Sequence, residues 1–109
     1  MSQTSKVINA TEETFEQVIA SDKLVIVDFY ASWCAPCKMI SPILDVLSQR
    51  DDVVIVKVDV DSLVDITKRY GVRGVPTLLF IKDGTVVQTK VGAIAKSAIE
   101  AIIETNATN

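Results

Sequence analysis

The chain has 109 residues and a mass of 11.9 kDa, which is the size of one domain spanning 1–109 and leaves no room for a second module. With 49% hydrophobic residues, four Gly and three Pro, it carries enough apolar surface to remove roughly two thirds of the unfolded chain's area from water, which excludes disorder and any need for a disulfide staple. Eleven basic against fourteen acidic residues give a net charge of −3, so nucleic acid and anionic membranes are excluded as expected partners, because their phosphates would be repelled on average.

Met1 to Lys6 contains no basic segment followed by an apolar one, so it does not read as a secretory signal, and a reducing, cytoplasmic compartment is the expectation. Lys6-Val7-Ile8 predicts a short edge strand. Thr11 then predicts a helix N-cap, with Glu12 and Glu13 in the first turn and Phe15, Val18 and Ile19 on one face. Leu24 to Tyr30 is a continuous apolar run with one acid, Asp28, inside it, the pattern of a strand covered on both faces. In the next helix Met39, Ile40, Ile43, Leu44 and Leu47 keep a 3.6-residue period, with Pro42 expected to kink it. Val53 to Val58 is a second buried strand, and a short helix over Leu63 to Tyr70 is ended by Gly71. Thr77 to Ile81 and Val86 to Val91 flank Asp83-Gly84, a strong hairpin signal. Ala95, Ala98, Ile99, Ile102 and Ile103 mark an amphipathic last helix. The longest apolar stretches, among them Leu24 to Val27, fall far short of the ~18 residues of a membrane helix. The order βαβαβαββα, with helices on both sides of a mixed sheet, is an α/β sandwich whose parallel pairs come first and whose antiparallel hairpin comes last. Two sequons, at Asn9 and Asn106, are read as chance.

The chemistry rests on two cysteines, Cys34 and Cys37, in a chain with no histidine. Two intervening residues put them one helical turn apart, within reach of a local disulfide. A loop that small removes little entropy from the unfolded chain, so such a bridge has a chemical rather than a stabilising purpose. Cys34 comes directly after a strand, at the start of a helix, where free amides and the helix dipole favour a thiolate. A free cysteine is about 3% ionised at pH 7, and a helix-end contribution of up to ~2 kcal/mol brings it toward half ionisation. Cys37, one turn inside, is expected to be more buried and slower. The rivals are cysteines that only pack, half of an intermolecular zinc site, and a cysteine hydrolase. The second needs two further ligands, which without histidine must be carboxylates or a second chain's cysteines, so no metal is assigned. The third lacks a base. Asp59, Asp61 and Asp65 suit turn and N-cap roles after a strand better than metal binding.

Trp33-Cys34-Ala35-Pro36-Cys37-Lys38, preceded by Asp28-Phe29-Tyr30-Ala31 and followed by Gly74-Val75-Pro76-Thr77, resembles the thioredoxin family, and the likeness runs from about Lys6 to Glu104. The resemblance implies the thioredoxin fold, a three-layer α/β/α sandwich, and a monomeric protein-disulfide reductase. It holds no bound cofactor beyond a redox-active Cys34–Cys37 disulfide, and it is recharged with electrons from NADPH by a flavin-containing thioredoxin reductase or, in some lineages, from ferredoxin. Its partners would be that reductase and disulfide-containing proteins. Carried across by position, Cys34 attacks the substrate disulfide and Cys37 resolves the mixed disulfide. Asp28 accepts the proton of Cys37 through a water, and Lys57 tunes the charge on Asp28. The alternative for Asp28 and Lys57 is a buried structural ion pair. The resemblance also implies a cis Val75-Pro76 bond, which nothing local predicts. It further implies a docking surface made of Trp33, Ala35, Pro36, Val75, Pro76, Gly92 and Ala93. Ala35, where Gly is common in the family, and Tyr30, where Trp is common, are departures that remove no reactive group. A rival of another class is a thioredoxin-like binding or chaperone subunit whose apolar surface, rather than its thiols, carries the role.

Overall fold

The computed structural model describes residues 5–107; the start of the chain, on which the secretory reading rested, and Thr108 of the second sequon lie outside the described residues. The elements are β1 (Ile8–Asn9), α1 (Phe15–Ile19), β2 (Leu24–Tyr30), α2 (Ala35–Leu47), β3 (Val53–Asp59), α3 (Val64–Arg69), β4 (Thr77–Lys82), β5 (Thr85–Val91) and α4 (Lys96–Asn106). They follow the predicted βαβαβαββα order. The sheet runs β1-β3-β2-β4-β5, with β1, β3 and β2 parallel and β4 and β5 antiparallel to their neighbours.

β2 is the middle strand, and its alternation divides the core in two. Leu24 and Ile26, with Val53, Ile55, Leu78 and Phe80, meet Ile40, Leu44 and Leu47 of α2 and Ile99 and Ile103 of α4. Val25, Val27 and Phe29, with Val56, Val58, Leu79 and Ile81, meet Phe15 of α1 and Leu63 and Ile66 near α3. A strand clothed on both sides can be apolar at every position, which is why β2 reads as a run rather than an alternation. Tyr70 edges against Phe15 and tilts over Phe29, closing the α1/α3 side.

Local chemistry moves several boundaries from their predicted places. The first strand is Ile8–Asn9, not 6–8, because the Lys6 N–H donates to Ser48 Oγ and the Val7 N–H to Ser5 Oγ instead of joining the ladder. Thr11 does not open α1. The Thr11 N–H donates to Thr14 Oγ1 and the Thr14 N–H to Thr11 Oγ1, a reciprocal turn that places the helix start at Phe15. Met39, 69% exposed, leaves the buried stripe of α2 because it sits about 100° around the helix from Ile40. Ala95 and Ala98 are likewise exposed, and Ile99 and Ile103 alone are fully buried in α4. The predicted glycine stop after α3 is a Schellman closure: Gly71, at φ 66°, donates its N–H to Lys68 O, and Val72 donates to Thr67 O. Asp83 and Gly84 both have positive φ, as a two-residue type I′ hairpin turn requires. A bulge between Phe80 and Ile81 shifts the β4–β5 register.

Candidate active site

β2 ends at Tyr30, and Ala31 to Trp33 turn the chain into α2, with Cys34 as its N-cap. The Cys34 N–H donates to Ala31 O, and the Lys38 N–H returns to Cys34 O as the first helical bond. Pro36 stands in the first turn, where its missing N–H would have had no partner anyway. The Cys37 N–H donates to Cys34 Sγ at 3.1 Å. This is the amide contact that stabilises negative charge on a sulfur at a helix start. Cys34 and Cys37 are joined as a disulfide with Cα atoms 5.3 Å apart. At 3% and 4% exposure they are equally buried, so the expected greater burial of Cys37 is not found. Ala31 packs with the pair, and Tyr30, Val60 and Val75 close over them.

The Val75-Pro76 bond is cis. The segment is pinned on both sides: Thr77 Oγ1 donates to Gly74 O at 2.6 Å, and the Gly92 N–H donates to Pro76 O at 2.8 Å. Gly92, at φ 92°, holds a backbone conformation that disfavours any side chain. Trp33 is 69% exposed, and its indole N–H donates to Asp61 Oδ2 at 2.9 Å. Trp33 and Val75 line a concavity of about 160 Å³ together with Val60, Thr67, Val72, Arg73 and Gly74. Of the predicted docking residues, Ala35, Pro36, Gly92 and Ala93 are not in its lining, and Pro76 is buried beside it. The five additional lining residues were missed. Val72 to Gly74 adjoin Val75 in the chain and could have been added by contiguity, whereas Val60 and Thr67 reach the site only through the fold.

Asp28 lies on the α2 side of β2 and is wholly buried, and neither of its oxygens has a hydrogen-bond partner. Its carboxyl is pushed up to about 6 by burial, with the Lys57 charge pulling the other way. Lys57 is its register partner on β3, yet no ion pair joins them. The buried ion pair entertained from sequence is therefore corrected. The Lys57 Nζ donates to Ser41 Oγ and stands 4.4 Å from the centre of the Tyr30 ring. The Asp59, Asp61 and Asp65 series divides among local tasks. Asp59 Oδ1 accepts the Asp61 N–H, Asp61 holds Trp33, and Asp65 sits in the first turn of α3. The N-cap of α3 is Leu63, which corrects the expectation of an acidic cap. Among the described residues no group of three His, Cys, Asp or Glu converges.

A sulfur pair one helical turn apart at the tip of a helix, on a mixed sheet covered on both sides, defines a dithiol–disulfide redox protein. The sequence profile of the thioredoxin family matches residues 6–105. Thioredoxin from Pseudomonas aeruginosa is 44% identical over 103 residues, covering 92% of this chain and 95% of the relative. Thioredoxin from Bacillus subtilis is 43% identical over 99 residues, covering 89% and 94%. Among solved structures, a variant thioredoxin from Halobacterium salinarum superposes with a TM-score of 0.89 at 32% identity, covering 99% of this chain and 98% of that one. Thioredoxin from Malassezia sympodialis superposes at 0.86 and 37%, covering 99% and 96%. The chain belongs to the thioredoxin family, and its activity is that of a thiol-disulfide oxidoreductase acting as a protein-disulfide reductase.

Proposed function

We propose that this protein acts as a monomer, one domain over 1–109, and passes two electrons from its reduced cysteine pair to disulfides in other proteins. Cys34 attacks as the thiolate: a bond forms between its sulfur and one substrate sulfur, and the other substrate sulfur leaves with the electron pair. Cys37 then gives its proton to Asp28 through one water and attacks the Cys34 sulfur. The Cys34–Cys37 bond forms and the second substrate thiolate departs. Burial raises the proton affinity of Asp28, which suits a group that must take a proton from a thiol near neutrality. Trp33, Ala35, Pro36, Val75, Pro76, Gly92 and Ala93 are the substrate-docking set, with an extended substrate segment lying along the Val75 backbone.

A flavin-containing thioredoxin reductase using NADPH returns the two electrons. The compartment assigned is the cytoplasm, where disulfides are kept reduced. Among the described residues no helix is long and apolar enough to cross a membrane. The observation that carries the reading is the Cys37 amide directed at Cys34 Sγ at the tip of α2.

The test is insulin reduction driven by NADPH and a bacterial thioredoxin reductase. Turbidity is expected with the parent protein and none with Cys34→Ser. An inactive parent beside a competent control thioredoxin would sink the reading.

A further inference from the structure

Asp28 and Lys57 face one another across neighbouring strands about 4.8 Å apart, a placement that ordinarily brings carboxylate and ammonium into contact. Both Asp28 oxygens are nevertheless without a partner. The ammonium is held elsewhere, by Ser41 Oγ at 3.1 Å and by the face of the Tyr30 ring. Ser41 is four residues after Cys37 on the same face of α2, so the helix that carries both cysteines also anchors the cation. Lys57 of β3 is the charge that acts on Asp28, Tyr30 of β2 feels both Asp28 and Asp59 of β3, and α2 carries Cys37, joined to Cys34 in the disulfide. The Tyr30 phenol is pushed up by burial and then by Asp59 and Asp28. Among the described residues, β4 and α4 bring the hydrocarbon side chains Leu78, Phe80, Ile99 and Ile103, with Ile102 packed against them, to the core on that side of the sheet.

We propose that Ser41 is a positioning residue for the resolving step: by holding the Lys57 ammonium against α2 and the Tyr30 ring, it keeps that charge out of contact with Asp28 and leaves Asp28 free to take the proton of Cys37. A lysine in contact with a carboxylate favours the charged form and makes it a poorer proton acceptor. The same lysine held off on a hydroxyl exerts a weaker pull, and burial decides. This inference rests on the reading of Asp28 as the proton acceptor.

Replacing the hydroxyl tests it. In Ser41→Ala the ammonium loses its one side-chain acceptor and moves to the nearest unpartnered anion, Asp28. The Asp28 carboxyl titration of the reduced protein, followed by carbon NMR, is expected to fall by half a unit or more, about threefold in proton affinity. Decay of the mixed disulfide between Cys34 and a chromogenic aryl thiol, measured by stopped flow, should show its acid limb displaced to lower pH by the same amount. Ser41→Thr, which keeps a hydroxyl, should restore both. An Asp28 titration that stays in place or rises in Ser41→Ala overturns the inference; the proton-acceptor reading then survives if Asp28→Asn still flattens the pH dependence of decay. A titration that falls while decay in both Ser41→Ala and Asp28→Asn matches the parent overturns the proposal at its other end, by removing Asp28 from the reaction.

Discussion

Asp28 has no partner at either oxygen, at the centre of a strand whose other residues are nearly all hydrocarbon. Burial outweighs the attraction of Lys57 and lifts its carboxyl from 3.8 to about 6. The folded protein therefore binds this proton more tightly than the unfolded chain does, and the sign of the linkage follows. The contribution of this one group leaves stability undiminished below about pH 4, lowers it as the pH rises to about 6, and keeps it lower above, by an amount of order 3 kcal/mol for a gap of this size. Asp28→Ala should accordingly be more stable than the parent at pH 7. The gain is about 1 to 3 kcal/mol once the small cavity is counted, and the decline between pH 4 and 6 should vanish. Urea unfolding at pH 4 and pH 7 measures both, and a variant weaker than the parent at pH 7 contradicts the account. A group that destabilises the resting molecule is the kind of feature that chemistry, rather than packing, explains.

At the level of elements, the active helix starts where it does because several local preferences agree. A β-strand ends, Cys34 takes an extended N-cap conformation, and Pro36 fills a place in the first turn that needs no N–H. Sequence alone was enough to place Cys34 there, since the strand run, the cysteine and the proline fall within a few residues of one another. α1 was less legible: two threonines exchange hydrogen bonds with each other, and single-position cap rules do not anticipate that pairing. α3 is short, and its end depends on Gly71, whose φ of 66° is cheap only for glycine. Nothing crowds the space a side chain would enter there. The cost of Gly71→Ala should then be purely conformational, about 1 kcal/mol in chemical denaturation. Insulin reduction should be unchanged at a temperature where the variant is folded. A loss well beyond 2 kcal/mol would mean that the Schellman closure carries more than its backbone geometry.

For the molecule as a whole, the layered architecture was readable because it is written in periodicity: β2, β3 and β4 as apolar runs, helices at 3.6, and one turn dipeptide. What sequence did not reveal are contacts between residues far apart in the chain. Trp33 meets Asp61 across 28 positions, and Lys57 meets Ser41 across 16. Arg50 pairs with the nearby Asp52 but also reaches Glu104, 54 positions on, tying α4 to the turn before β3. Such links leave no local pattern, because a hydroxyl or carboxylate reads the same whether it faces water or a distant cation. The candidate site was legible in its reactive sulfurs, which lie three positions apart in the chain. It was illegible in the groove beside them, assembled from α3, the end of β3 and the Val75 segment.

The burial of β2 on both faces and between two neighbouring strands has a consequence for motion. Its peptide hydrogens can swap with deuterium only when the entire sandwich comes apart, whereas those of the two-residue, exposed β1 can do so by fraying. Deuterium uptake at Val25 to Phe29 should thus report the global free energy of opening, with β1 several orders of magnitude faster. The cysteine pair hangs from the end of the slowest segment, so a guest chain of any shape must adapt to a fixed anvil.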